Sequence, residues 1–194
     1  TFHLLSSFKF IFLTPIKKHR LQKPYQCFVT RWSKPMEEKR MDIQKIINLV
    51  TKTQGLIKNR EMAAHVKEKG LADYVTQVDI AVQNFLKKEL FALAPDIQFL
   101  GEETGLQEMK AESFWILDPV DGTTNLMHDY QQSVVSLALC HQGEIVMGIV
   151  YDPFHEEVFS AIKGKGSFLN GHPIHVSNAE KLSDAMIGLG TAKR

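Results

Sequence analysis

The sequence predicts an α+β fold, on three observations: two segments repeat apolar residues at helical spacing, short β-rich runs follow them, and turn residues separate those runs. Ile43, Ile46, Ile47 and Val50 recur at i, i+3, i+4 and i+7, which predicts an amphipathic helix continuing past Ile57 toward Val66. Gly70 breaks that pattern, and residues 72–76 read as an extended connector. A second helix is expected after Asp79, with Val82, Phe85, Leu86, Leu90 and Leu93 on one face and a stop before Pro95. Residues 97–100, 114–117, 134–140, 145–151, 158–162 and 167–169 then read as strands. The linkers His141-Gln142-Gly143-Glu144, Lys163-Gly164-Lys165-Gly166 and Asn170-Gly171 have the composition of tight turns, so the runs form an antiparallel meander with the helices packed on it.

The 194 residues suffice for one domain with a real core, and 44% hydrophobic with 23% charged residues is the balance of a soluble globular protein. The net charge of +1 conceals an asymmetry. Residues 1–40 hold nine Lys or Arg and two Glu, a net of +7, whereas the remainder holds fourteen basic and twenty acidic residues, a net of −6. A mildly acidic globular part argues against nucleic acid as a partner and suits a carboxylate-rich cation site. Cys27 and Cys140 have no metal-ligand spacing and make no disulfide framework, so a reducing, cytoplasmic compartment is expected. No apolar run approaches the roughly 20 residues needed to span a bilayer, and no membrane association is expected. Residues 1–40 carry the basic cluster Lys17-Lys18-His19-Arg20 and an aromatic patch broken by Lys9. They are set apart from the fold, either as upstream sequence before a start at Met41 or Met36 or as a targeting segment.

Four acids stand where chemistry would want them: Asp79, Glu102, Asp118 and Asp121. Glu102 and Asp118 each follow an apolar run, so each is expected at a strand end, a rigid mount from which a ligand loses little entropy on binding. Pro119 fixes its own φ and drives Asp118 toward extended geometry, which holds Asp118 and Asp121 in one place. Hard oxygen donors of this kind suit Mg²⁺ or Mn²⁺ rather than zinc. Gly122-Thr123-Thr124 follows directly, and a glycine opening a helix lets backbone N–H groups approach an anion. Carboxylates beside a phosphate cradle would repel the phosphate unless cations lay between them, which points to a metal-bridged phosphate ester. Taken alone, Asp-Pro-x-Asp-Gly is equally an ordinary tight turn.

The stretch Trp115-Ile116-Leu117-Asp118-Pro119-Val120-Asp121-Gly122-Thr123-Thr124-Asn125 resembles the first signature of the inositol monophosphatase family. Further matches stand in the family's order at Asp73-Tyr74-Val75-Thr76-Gln77-Val78-Asp79, Phe99-Leu100-Gly101-Glu102-Glu103-Thr104, Gly148-Ile149-Val150-Tyr151 and the Lys163 to Gly171 segment. The resemblance implies a layered αβαβα sandwich of which residues 41–194 are the N-terminal α+β portion, with the C-terminal part missing. It also implies a magnesium-dependent phosphomonoesterase acting on inositol monophosphate or a similar small polyol phosphate. Carried over by position, Glu102, Asp118 and the Val120 carbonyl would hold the first metal, and Asp118 and Asp121 would contribute to a second. Thr123 would orient the attacking water with Asp79 behind it as proton-accepting partner, and Asp121 with the Gly122 and Thr123 amides would face the substrate. The resemblance further implies a homodimer when full length. Two departures are visible: Gln83 stands where the family often has Glu, and the second signature, Trp-Asp-x-Ala-Ala-Gly, is not in this sequence. Alternatives are a weak or inactive fragment that binds a partner through an unfinished sheet edge, or a relative acting on fructose bisphosphate or adenosine bisphosphate. His155, His172 and His175 read as turn or surface residues, Trp115 as core, and Lys163-Gly164-Lys165-Gly166 as a solvated hairpin. Lys67 and Lys69 are too loosely spaced for a role.

Overall fold

Asp42 opens the first helix, α1 (Ile43–Thr51), by accepting the Gln44 N–H at 3.0 Å, and Ile46 and Val50 drive the helix into the core, where both are fully buried. The computed structural model describes residues 42–70, 73–101 and 111–186. The single long helix expected toward Val66 is not formed. Thr53 is buried and its hydroxyl donates to the Val50 carbonyl at 2.6 Å, which closes α1. Two short helices follow, α2 (Gln54–Ile57) and α3 (Arg60–Ala64). The Asn59 side chain starts α3 by accepting the Met62 N–H at 3.1 Å. A residue type that competes for backbone hydrogen bonds at each junction outweighs the apolar periodicity.

Val66 begins a strand rather than ending a helix. β1 (Val66–Gly70) pairs antiparallel with β2 (Asp73–Thr76), so the expected connector is half of a small ribbon. α4 (Gln77–Leu93) then starts two residues before Asp79, not after it. Its buried line is Val78, Val82, Leu86 and Leu90, each fully buried, while Phe85 is half-buried and Leu93 is exposed. A strict i+4 series therefore replaces the expected face, with Phe85 and Leu93 at its margin. Fully burying such a side chain contributes about 1.5–3 kcal/mol.

A seven-stranded sheet follows, its strands in chain order: β3 (Gln98–Gly101), β4 (Ser113–Asp121), β5 (Val134–His141), β6 (Glu144–Asp152), β7 (Glu157–Ile162), β8 (Gly166–Leu169) and β9 (His172–Ile174). From β4 onward every pair is antiparallel, as the meander requires. The β3–β4 pair is parallel, a difference from the expectation that follows from its long connection, since parallel neighbours need a crossover of about a dozen residues. The turns Gln142-Gly143 and Asn170-Gly171 hold consecutive positive φ values of 50° and 80°, and 49° and 79°, as two-residue hairpin turns do.

Trp115 and Leu117 on β4, Leu137 and Leu139 on β5, and Ile149 and Tyr151 on β6 share the core with α1 and α4. Cross-strand register aligns them in rows: Leu117 with Leu137 and Ile149, and Trp115 with Leu139 and Met147. Trp115 is a core residue as expected, 1% exposed, and its indole N–H has no acceptor among the described residues. His172 and His175 are exposed, and residues 163–166 form the β7–β8 hairpin. Among the described residues no helix is long and apolar enough to cross a membrane.

Candidate active site

Asp79 sits in the first turn of α4, where its carboxylate serves the helix start. Its Oδ2 accepts the Thr76 N–H at 2.8 Å and the Thr76 hydroxyl at 2.6 Å, while the Thr76 Oγ1 accepts the Val78 N–H at 3.2 Å. This is a capping box with Thr76 as N-cap and Asp79 three residues on. The other oxygen, Oδ1, lies 3.1 Å from the Thr123 hydroxyl, 44 positions away. That hydroxyl also lies 3.0 Å from the Val120 carbonyl. Three residues singled out from the sequence, Asp79, Val120 and Thr123, are thus joined by one hydroxyl group.

β4 delivers the two signature carboxylates. The strand runs on through Asp121, so Asp118 and Asp121 stand within its last four residues rather than beyond its end. Asp118 pairs with Ser136 but Asp121 pairs with Val134, so three steps on β4 oppose two on β5. An extra residue of this kind bends a strand and re-aims its side chains, which brings both acids and the Val120 carbonyl to one turn. Asp118 is half-buried and its Oδ1 is out of contact with solvent. Glu102 lies outside the described residues. Gly101, the residue before it, pairs with Leu117, the residue before Asp118. A Cβ at Gly101 would fall 2.1 Å from Oε1 of the buried Gln83, so a side chain there would have to displace the Gln83 amide.

Gly122 turns the chain from β4 into α5 (Thr123–Met127) at φ 96°. A Cβ there would lie 2.9 Å from the Gln132 carbonyl oxygen, so left-handed geometry and close packing both demand glycine. The following loop braces this turn: the Ser133 hydroxyl donates to the Gly122 carbonyl at 2.9 Å, and the Asn125 amide to the Gln132 carbonyl at 2.8 Å. At the far end of α5, the Arg60 guanidinium donates to the Leu126 carbonyl at 3.1 Å and pairs with Asp129 at 2.9 Å.

A cleft of about 450 Å³ opens beside Asp121 and Gly122, lined also by Asn125, Gln132, Asp152, His155 and Glu157. The sequence reads His155 as a turn or surface residue. It is exposed as a turn residue should be, but its Nδ1 lies 2.9 Å from Asp152 Oδ2, and Asp152 Oδ1 accepts the Phe154 and His155 N–H groups at 2.8 and 3.1 Å. The readable signal was Asp152-Pro153 directly after an apolar run, the same pattern as Asp118-Pro119. Thr76 was likewise missed as a site component, although Thr-x-x-Asp before an apolar helix is a capping-box signature. Burial, with the nearby Glu156 and Asp152 charges, pushes the Tyr151 phenol above its ordinary range, so it stays neutral.

The donor set suits a hard divalent cation: two carboxylates and one carbonyl oxygen from the last four residues of β4, with the Thr123 hydroxyl 3.0 Å from that carbonyl. Among the described residues no three His, Cys, Asp or Glu side chains converge on one point, and the third acid the sequence names, Glu102, is outside them. Two carboxylates with a carbonyl are a fitting partial shell.

The model of the inositol monophosphatase family matches residues 34–193. The chain belongs to that family. Inositol monophosphatase 3 of Solanum lycopersicum is 42% identical over 127 residues, covering 63% of this chain and 47% of that protein. The crystal structure of extragenic suppressor protein suhB from Bartonella henselae superposes with a TM-score of 0.68 at 33% identity, covering 72% of this chain and 56% of that one. An IMPase/NADP phosphatase complexed with Mg²⁺ and phosphate superposes with a TM-score of 0.62 at 28% identity, covering 72% and 53%. The α+β class and the inositol-monophosphatase type of fold expected from the sequence are therefore borne out. The chain spans about half the length of the curated relatives it matches.

Proposed function

We propose that the chain carries the cation- and phosphate-binding half of a magnesium-dependent phosphomonoesterase acting on inositol monophosphate or a similar small polyol phosphate. The observation that carries this reading is the hydroxyl of Thr123, held between Asp79 and the Val120 carbonyl beside the Asp118–Asp121 turn. Family membership and a fold shared with a protein solved with Mg²⁺ and phosphate support it. Asp118 and Asp121 with the Val120 carbonyl, joined by Glu102, would hold Mg²⁺ or Mn²⁺. Such cations, when bound, lower the pKa of a coordinated water and neutralise charge developing on the phosphate.

The protein's own part is positioning. Thr123 gives its proton to Asp79 and leaves its oxygen lone pairs to accept from the attacking water, which fixes that water's direction. Asp79 behind Thr123 is the proton-accepting partner: as the water loses a proton to the Thr123 oxygen, the Thr123 proton passes to Asp79. The Gly122 and Thr123 amides are assigned to the phosphate oxygens, and Asp121 also faces the substrate. No Ser or Cys nucleophile is called for, so the phosphate passes directly to water. Cytoplasmic location and a homodimeric full-length protein belong to the same proposal. The test is phosphate release from inositol 1-phosphate by the full-length protein with and without Mg²⁺. Turnover should require the cation and fall by at least about a hundredfold in Asp118→Asn, because a lost carboxylate ligand removes charge stabilisation in the transition state. Retention of parental turnover in that variant would sink the site.

A further inference from the structure

We propose that Thr76 is a positioning residue for the Asp79–Thr123 pair, a role that rests on the function proposed above. Thr76 and Asp79 are 1% and 2% exposed, so neither side chain can exchange a protein partner for water without opening the fold. In an ordinary capping box the acidic side chain takes only the N-cap amide. Here Asp79 Oδ2 takes both the amide and the hydroxyl of Thr76, at 2.8 and 2.6 Å. The Thr76 hydroxyl is itself held from behind by the Val78 N–H at 3.2 Å, which commits its one proton to Asp79. Turning the carboxylate would break two charge-assisted hydrogen bonds at once. Its plane is therefore fixed, and Oδ1 is left facing Thr123.

The consequence lies at Thr123. Its hydroxyl has one proton and two acceptors at nearly equal distance, Asp79 Oδ1 at 3.1 Å and the Val120 carbonyl at 3.0 Å. With Asp79 locked, its carboxylate oxygen is the stronger acceptor and takes the hydrogen bond, so the Thr123 lone pairs turn toward the site. With Asp79 free to swing, the hydroxyl donates to the Val120 carbonyl instead and the lone pairs point elsewhere. Thr76 thus decides, through Asp79, which way the water-orienting hydroxyl faces.

The experiment is a double-mutant cycle on the full-length protein with inositol 1-phosphate and Mg²⁺, using Thr76→Val, Thr76→Ser, Asp79→Asn and the Thr76→Val/Asp79→Asn pair. Thr76→Val should lower kcat about tenfold with KM within about twofold of the parent, the mark of an interaction felt in the transition state. Thr76→Ser, which keeps the hydroxyl, should recover most of that loss and covers the case in which the valine variant fails to fold. In the Asp79→Asn background Thr76→Val should change kcat by less than about twofold, because a residue acting through another adds nothing once that one is gone. Asn59→Ala, which removes the cap of α3, should lower the melting temperature without touching kcat. Parental kcat in Thr76→Val, a tenfold loss that persists beside Asp79→Asn, or an equal loss in Asn59→Ala would each overturn the proposal. Full kcat in Asp79→Asn would instead overturn the role of Asp79 and take this inference with it.

Discussion

At the scale of the residue, the turn into α5 depends on the absence of one carbon atom. Gly122 has φ 96°, and its missing Cβ leaves room for the Gln132 carbonyl, which a side chain would approach to 2.9 Å. Left-handed backbone alone costs an L residue about 1–2 kcal/mol, and displacing the loop adds to it. Gly122→Ala should therefore lower stability by at least that amount in urea denaturation, with the slope of the transition unchanged. A parental midpoint would show that the turn relaxes around a methyl group. The sequence disclosed Gly122, Asp118, Asp121 and Thr123 because their types and spacing carry the chemistry. The capping pattern Thr76-x-x-Asp79 is local and the resemblance set Asp79 behind Thr123, but the residues alone did not disclose that one carboxylate serves both, since the contact with Thr123 crosses 44 positions and arises from packing.

At the scale of the element, α4 is the bridge between core and site. Val78, Val82, Leu86 and Leu90 seat it in the core shared with the sheet, and that seating holds Asp79 against the end of β4. Leu86→Ala should cost about 2–5 kcal/mol, the range for a fully buried leucine, read as a lowered denaturation midpoint. A loss below about 1 kcal/mol would mean that the cavity collapses and that α4 is loosely seated. The helical spacing of apolar residues made α4 legible, and β-rich runs with Gly turns made β5 to β8 legible. The break of the first helical pattern into α1, α2 and α3 was not, because the buried Thr53 hydroxyl and the Asn59 cap decide it, and both look like ordinary polar residues of a helix surface. The parallel β3–β4 pair was hidden for another reason: periodicity reports which residues face the core and says nothing of strand direction.

At the scale of the whole molecule, the sheet and α4 bring carboxylates from separate stretches of chain to one end of the fold, with Asp121 opening onto a cleft walled by Asp152, His155 and Glu157. So much negative charge at one place is tolerable when cations neutralise it, which is the central claim for this site. The most direct measurement is calorimetric titration of Mg²⁺ into the full-length protein, the Asp118→Asn/Asp121→Asn double variant and an Asp152→Asn variant. The parent should bind Mg²⁺, the double variant should lose that heat altogether, and Asp152→Asn should keep it. Equal binding by the parent and the double variant, or binding abolished by Asp152→Asn alone, would contradict the assignment of the cation to the Asp118–Asp121 turn.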